Sequence, residues 1–185
     1  MRKSKEEASR TRERIVAAAA AEFRRNGIVA TGLNDLMSAA GLTHGGFYKH
    51  FESKEHLVTE ACRHAVQSAI LEGLAAAASE GSGAAAAYLS TGHRDNPATG
   101  CPLSAIGSEL ARSDEKTRAV ATDGFLRLVE IMAAQYGKIP RAVARRRALV
   151  AVSTMIGALT MSRILTDSEL SAEILKEARK GLKDR

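Results

Sequence analysis

Residues 31–51, TGLNDLMSAAGLTHGGFYKHF, restrict this chain more than any other stretch, because they specify two short helices and the turn between them. From Gly32 to Ala40, the apolar residues Leu33, Leu36, Met37 and Ala40 recur at offsets of three, four and seven, which puts them on one helical face that needs a core. Gly41 can take the left-handed backbone that ends a helix at little cost, and Thr43 stands where a side-chain oxygen can cap the next helix. That next helix is expected from about His44 to Phe51. Its surface carries Thr43, His44, Tyr48, Lys49 and His50 and almost no acid, which suits a polyanion. Helix, glycine turn and helix is the layout of a helix-turn-helix, whose second member lies in the DNA major groove.

The rest of the chain agrees with an all-α fold. Alanine is abundant, proline is limited to three positions, and Val, Ile and Thr form no alternating runs. A formal net charge of +6 favours an acidic partner such as nucleic acid. Two cysteines, Cys62 and Cys101, are too few for a disulfide framework, the start MRKSKEEASRTRER is too charged for a signal peptide, and no apolar run approaches the ~20 residues of a membrane span. A reducing cytoplasm and no membrane partner are expected.

Punctuation divides the chain into helices. The first should open at a Ser4–Glu7 capping box and stop at Asn26-Gly27, with its arginines either reaching phosphate or solvating the surface. Ser53 should cap a long helix with no breaker before Gly73, running as far as Ser79, and Glu80–Gly83 is a break. Ala84–Ser90 is a short helix and Thr91–Gly100 an internal loop. Pro102 should open a helix through Ala111, Ser113-Asp114-Glu115 one that reaches Tyr136 or Gly137, Pro140 one that reaches about Leu165, and Ser168 a last one ending near Lys183. Ala148–Leu165 is apolar almost all round and must be buried on more than one side, in the core or at a subunit interface. Arg141, Arg145, Arg146 and Arg147 read as a solvated rim.

The run GLTHGGFYKHFESKEHL, residues 41–57, is similar to the DNA-binding signature of the TetR family of bacterial transcriptional regulators, in its Gly-x-x-x-Gly spacing, Phe-Tyr pair and Phe-x-Ser-Lys-Glu-x-Leu continuation. The resemblance covers about residues 9–60. It implies a three-helix head over 1–53 and a helical effector-binding and dimerisation domain over 54–185. It further implies a homodimer, paired through the last two long helices on a palindromic double-stranded operator, and a small-molecule effector held between the linking helix and those after it. Carried over residue by residue, Thr43, Tyr48, His50 and Lys54 match positions that touch phosphates or bases, Gly45 allows close backbone approach, and Thr31 matches a phosphate-contacting cap. His44 and Lys49 complete the expected DNA surface, while Phe47 and Phe51 pack the head's own core. His44 departs from the lysine common in relatives, and Gly46 stands where a larger residue is usual, so the reading helix should be loose without DNA.

His93-Arg94-Asp95-Asn96-Pro97 followed by Gly100-Cys101-Pro102-Leu103 resembles a segment of one subset of these regulators. A thiol at a helix N-terminus near His93 and Arg94 would have its anion favoured, so Cys101 and His93 are candidates for effector or redox sensing, with a packed, inert cysteine as the alternative. His44, His50, His56 and His64 lack the i, i+4 spacing of a helical metal site, and no nucleophile elbow, phosphate loop or His-Glu-x-x-His helix occurs, so neither metal, cofactor nor catalysis is expected. A transcriptional regulator, most simply a repressor, is the reading; a constitutive DNA-binding protein or a ligand carrier with a vestigial helix-turn-helix are the rivals.

Overall fold

The computed structural model describes residues 5–74, 83–137 and 139–183, and within them every regular element is helical. The first, α1 (Lys5–Asn26), turns Ile15, Val16, Ala19, Ala20 and Phe23 inward and stops at Gly27, whose φ of 89° only glycine adopts freely. The expected cap at Ser4 lies outside the described residues. α2 (Leu33–Ala39) buries Leu36 and Met37 against α1, and Gly41 at φ 67° makes the predicted left-handed stop. Its last carbonyls also find a distant partner, since Arg14 of α1 donates to the Ala40 carbonyl at 2.7 Å.

After the turn comes α3, a 3-10 helix over His44–Lys49, and then α4 (Lys54–Ala65), capped by the Ser53 hydroxyl as expected (His56 N–H to Oγ, 3.2 Å). α4 runs directly into a π-helical stretch, Val66–Leu74. The expected continuation to Ser79 and the break at Glu80–Ser82 lie outside the described residues. α1 and α4 pack along each other and enclose the buried Phe47 and Phe51, whose rings stack at 5.6 Å.

Two short helices, α5 (Ala84–Tyr88) and α6 (Thr91–Asp95), precede a 3-10 turn at Pro97–Thr99 that rests on α1. The expected Thr91–Gly100 loop is therefore largely helical. Ser90 caps α6 by accepting from the His93 N–H at 3.1 Å, and Asn96 closes it by donating to the Gly92 carbonyl at 2.8 Å. The single helix expected from Pro102 to Ala111 is also corrected: it splits into α7 (Pro102–Ala105) and α8 (Gly107–Leu110). Ile106 leaves the helical region (φ −132°, ψ 25°) while burying its side chain, and Gly107 beside it adds no helix preference to resist that.

The remaining boundaries follow the sequence signals. α9 (Glu115–Ala134) starts at Asp114, whose carboxylate accepts from the Thr117 N–H at 2.7 Å; α10 (Arg141–Ile164) starts after Pro140; α11 (Ser168–Lys183) is capped by Asp167. α10 packs on both α9 and α11. Its inner face buries Ala148, Val152, Met155 and Leu159. On its outer face Val150, Ser153, Gly157, Met161 and Ile164 form an exposed stripe at helical spacing. Contrary to the expectation that no segment comes near a membrane span, α10 passes for one by length and composition alone; its buried inner face is that of a core helix.

Candidate DNA-reading head and effector pocket

The surface of the head is set by which side of α3 the phenylalanines occupy. With Phe47 fully buried, Tyr48 is pushed outward to 68% exposure, and Thr43, His44, Gly45 and Lys49 are exposed beside it; His50 is half-buried. Six of the eight expected DNA-contacting residues thus converge on one turn. Its geometry differs from the expected α-helix, because the backbone bonds Gly46 N–H to Thr43 and His50 N–H to Phe47 (3.1 and 2.9 Å) close three-residue rings. The pair Gly45-Gly46 supplies little helix preference, so the anchored Phe47 and Phe51 dictate the path. Thr43 is the N-cap residue, but its side chain makes no capping bond, which leaves the hydroxyl facing outward.

Thr31 and Lys54 are placed otherwise. Thr31 is 2% exposed and its hydroxyl donates to the Gly27 carbonyl at 2.5 Å, while Gly32 is the N-cap of α2. Its side chain closes the α1–α2 loop instead of standing ready for phosphate. Lys54 reaches back to donate to the Ile28 carbonyl at 2.7 Å. A nearby fixed acceptor, invisible at a separation of 26 residues, holds it to the same loop.

Arg12, Arg14 and Arg24 of α1 are also bonded to other parts of the fold. Arg12 forms a two-pronged bridge with the Glu60 carboxylate, which raises its own pKa and lowers that of Glu60, and it lies over the Phe51 ring at 4.7 Å. Arg24 is buried, donates to the Gly100 carbonyl at 3.2 Å, and leaves Nε without a partner; burial pulls its pKa down to about 10. Sequence reasoning missed both roles because Glu60 and Gly100 lie far along the chain.

A pocket of about 340 Å³ opens between α5, α6 and the π-helical stretch that follows α4, lined by Ala69, Gly73, Tyr88, His93, Asn96 and Cys101 among others. His93 is fixed by two bonds: its Nδ1 lies 2.8 Å from the Tyr88 carbonyl and its Nε2 accepts from the Cys101 N–H at 2.9 Å. That requires the neutral Nδ1–H tautomer. Burial lowers its pKa accordingly, and the ring stands edge-on to Tyr88 at 4.7 Å. Arg163 donates to the His93 and Arg94 carbonyls and to Ser104 Oγ (2.7, 3.1 and 3.2 Å), buttressing the same corner.

Cys101 does not have the setting of a reactive thiol. It is 2% exposed, and desolvation raises its pKa despite the helix start that follows. α7 has four residues, too short to offset that burial by its dipole. Arg94 does not fold over it either, being paired with Asp95 at 2.7 Å. Cys62 is buried too, with its pKa pushed up to about 11. His93 and Cys101 are brought together, as a hydrogen-bonded corner of the pocket. Among the described residues no group of His, Cys, Asp and Glu side chains could hold a metal ion.

The same head and bundle occur in known proteins. Residues 15–61 match the family model described as bacterial regulatory proteins, tetR family, and residues 85–177 match that of the LmrA/YxaF-like transcriptional regulator C-terminal domain. The chain belongs to the TetR family. It is a transcriptional regulator with a DNA-binding helix-turn-helix, not an enzyme. A TetR transcriptional regulator from Chloroflexus aurantiacus superposes over 96% of this chain and 94% of its own, with TM-score 0.77 and 28% identity. An HTH-type regulator of Mycobacterium tuberculosis is 29% identical over 84% of this chain and 86% of its own. The Escherichia coli protein named "Probable acrEF/envCD operon repressor" is 35% identical over 79 residues, 40% of this chain. That match spans about a third of the relative's length, at 36%.

Proposed function

We propose that the protein represses transcription by binding a palindromic operator as a homodimer, and that an uncharged small molecule in the α4–α5–α6 pocket releases it. The observation that carries the DNA-reading part is the exposed turn of Thr43, His44, Gly45, Tyr48 and Lys49 on a head held rigid by Phe47, Phe51 and the Arg12–Glu60 bridge. Two such turns, about 34 to 36 Å apart, enter successive major grooves. The exposed Val150–Ile164 stripe of α10 supports pairing, since single exposed apolar residues are ordinary but a continuous helical stripe is a surface awaiting cover. Repression is supported by the operon repressor named above, and a cytoplasmic location follows from operator binding.

The pocket supports the effector part. Among the described residues its lining includes no Lys, Arg, Asp or Glu, and His93 there is neutral, so a ligand bearing net charge would lose water without gaining a partner from them. The Gly100 carbonyl at the pocket wall accepts from Arg24 of α1, so a ligand that displaces this wall moves the helix on which the head is built. A coupling of about 1 to 3 kcal/mol is enough for a 5- to 150-fold loss of operator affinity.

The test is operator binding as a function of salt, for wild type, Tyr48→Ala and Lys49→Ala. Lys49→Ala should lower affinity on all sequences and reduce the salt slope by about one, whereas Tyr48→Ala should cost about 1 to 3 kcal/mol on the operator. Unchanged binding by both variants would remove α3 from the interface.

A further inference from the structure

The α1–α2 loop, residues 27–31, is what orients the reading helices on the long α1, and its polar groups are only partly satisfied within the head. Gly27 N–H bonds the Phe23 carbonyl at 2.8 Å and the Thr31 hydroxyl bonds the Gly27 carbonyl at 2.5 Å. The N–H groups of Ile28 and Val29 are bound instead by α8, 80 residues further on: Glu109 Oε2 accepts from Ile28 at 3.0 Å and Oε1 from Val29 at 2.8 Å. The Ile28 carbonyl meanwhile accepts from Lys54. One peptide segment is thus gripped by a carboxylate from the bundle and an ammonium from the start of α4.

Ile28 packs against the core, and α4 packs on α9 with the Thr59 and Thr117 hydroxyls 2.7 Å apart, but Val29 and the loop amides are fixed by the Glu109 carboxylate. Val29 is 84% exposed, and a cavity of about 290 Å³ beside it is lined by Ile28, Val29, Val58, Ser113, Asp114 and Thr117 among others. Among the described residues Glu109 makes no ion pair, so its charge is balanced by the two amide donors alone. Two parallel acceptors on one rigid plane are what only a carboxylate offers to two adjacent amides. A Cβ at Gly27 would stand 3.0 Å from Oε2, so the loop's glycine also makes room for it.

We infer that Glu109 is a positioning residue for operator recognition: its carboxylate sets the pose of the head on the helical bundle, and thereby the half-site spacing that a dimer accepts. This rests on the dimeric-operator reading. A change of one base pair between half-sites shifts a groove by about 3.4 Å and about a tenth of a turn, which a latched head cannot follow and a loosened one can.

The experiment compares wild type with Glu109→Gln and Glu109→Ala on the operator, on operators with one base pair added or removed at the centre, and on an isolated half-site. Hydrogen exchange of the Ile28 and Val29 amides is measured in the same proteins. Gln keeps one acceptor and fills the same space, so it guards against a variant that fails to fold. The latch predicts that both variants bind the half-site like wild type apart from a uniform gain from the lost negative charge. It predicts that the preference for the correct spacing falls about threefold or more, and that the two amides exchange roughly tenfold faster. Equal spacing preference and equal exchange in wild type and Glu109→Gln would overturn it. If wild type itself ignores spacing, the role in spacing falls with the dimeric-operator reading; faster exchange in the variants would then show that the latch exists and that the failure lies in that reading.

Discussion

Replacing Gly100 by alanine tests whether the His93 corner is the rigid wall between the pocket and α1. Gly100 has φ −84° and ψ −171°, which any residue adopts, so the backbone contributes no penalty. The whole effect comes from contact, because an added Cβ would overlap the His93 ring at Nε2 and Cδ2. That ring cannot swing away cheaply. It is held by the Tyr88 carbonyl and the Cys101 N–H, and it packs edge-on against Tyr88. Displacing it removes two hydrogen bonds, about 1 kcal/mol each, and leaves a buried Cys101 N–H unpaired for about 1 to 3 kcal/mol more, less what relaxation recovers. A net loss of about 2 to 4 kcal/mol corresponds to a fall in Tm of about 4 to 16 °C for a chain of this size. Denaturant melts of Gly100→Ala, His93→Ala and the double variant measure it. Because Gly100→Ala and His93→Ala disrupt the same corner, their effects should fall short of additive by about 1 kcal/mol or more. A Gly100→Ala protein within about 1 kcal/mol of wild type, or strict additivity, would refute the reasoning.

Three further outcomes follow from named contacts. The folded protein holds His93 neutral with its pKa below the ordinary 6.5, so the unfolded chain takes up a proton first as pH falls. Stability from this site is complete above pH 6.5 and declines below it, by up to about 1.4 kcal/mol per pH unit, and His93→Gln should flatten the change in Tm between pH 7.5 and 5.5. Gly46→Ala should stabilise the fold by about 0.5 to 1 kcal/mol, since the new Cβ meets Met37 at an ordinary 3.5 Å; a loss of stability in a thermal melt would show that the glycine is sterically required. Arg12→Lys keeps the charge but gives up the fork on Glu60 and the contact with Phe51, and should cost about 1 kcal/mol in a denaturant melt, whereas an unchanged midpoint would make the bridge a surface pair of no consequence.

What the sequence made legible was local. Leu36, Met37, Phe47 and Phe51 were recognisable as core from their spacing and from the head's signature, and Gly41, Ser53, Asp114 and Pro140 marked helix ends because caps act within one turn. Where distant partners decide, the sequence carries no local sign of them. Arg14, Arg24 and Lys54 looked like solvated or phosphate-seeking cations, yet each is bound to a backbone carbonyl on another element. The apparent loop at Thr91–Gly100 folds into a helix and a 3-10 turn because Ser90 caps it and α1 supplies a surface to rest on. The promise of a low-pKa thiol at Cys101 depended on exposure, which sequence does not reveal, and burial reverses it. The reading helix was placed correctly along the chain but takes 3-10 form, since the Phe47 and Phe51 anchors outweigh what two glycines contribute to an α-helix.

The most direct measurement is selection of binding sites from a random pool of double-stranded DNA by the purified protein, followed by sequencing. A dimeric operator-binding protein should enrich an inverted repeat whose half-site centres lie one helical turn or a multiple apart, and Tyr48→Ala should lose that enrichment. Recovery of no motif, or of single half-sites without symmetry, by a protein shown to be folded would contradict the dimeric-operator reading.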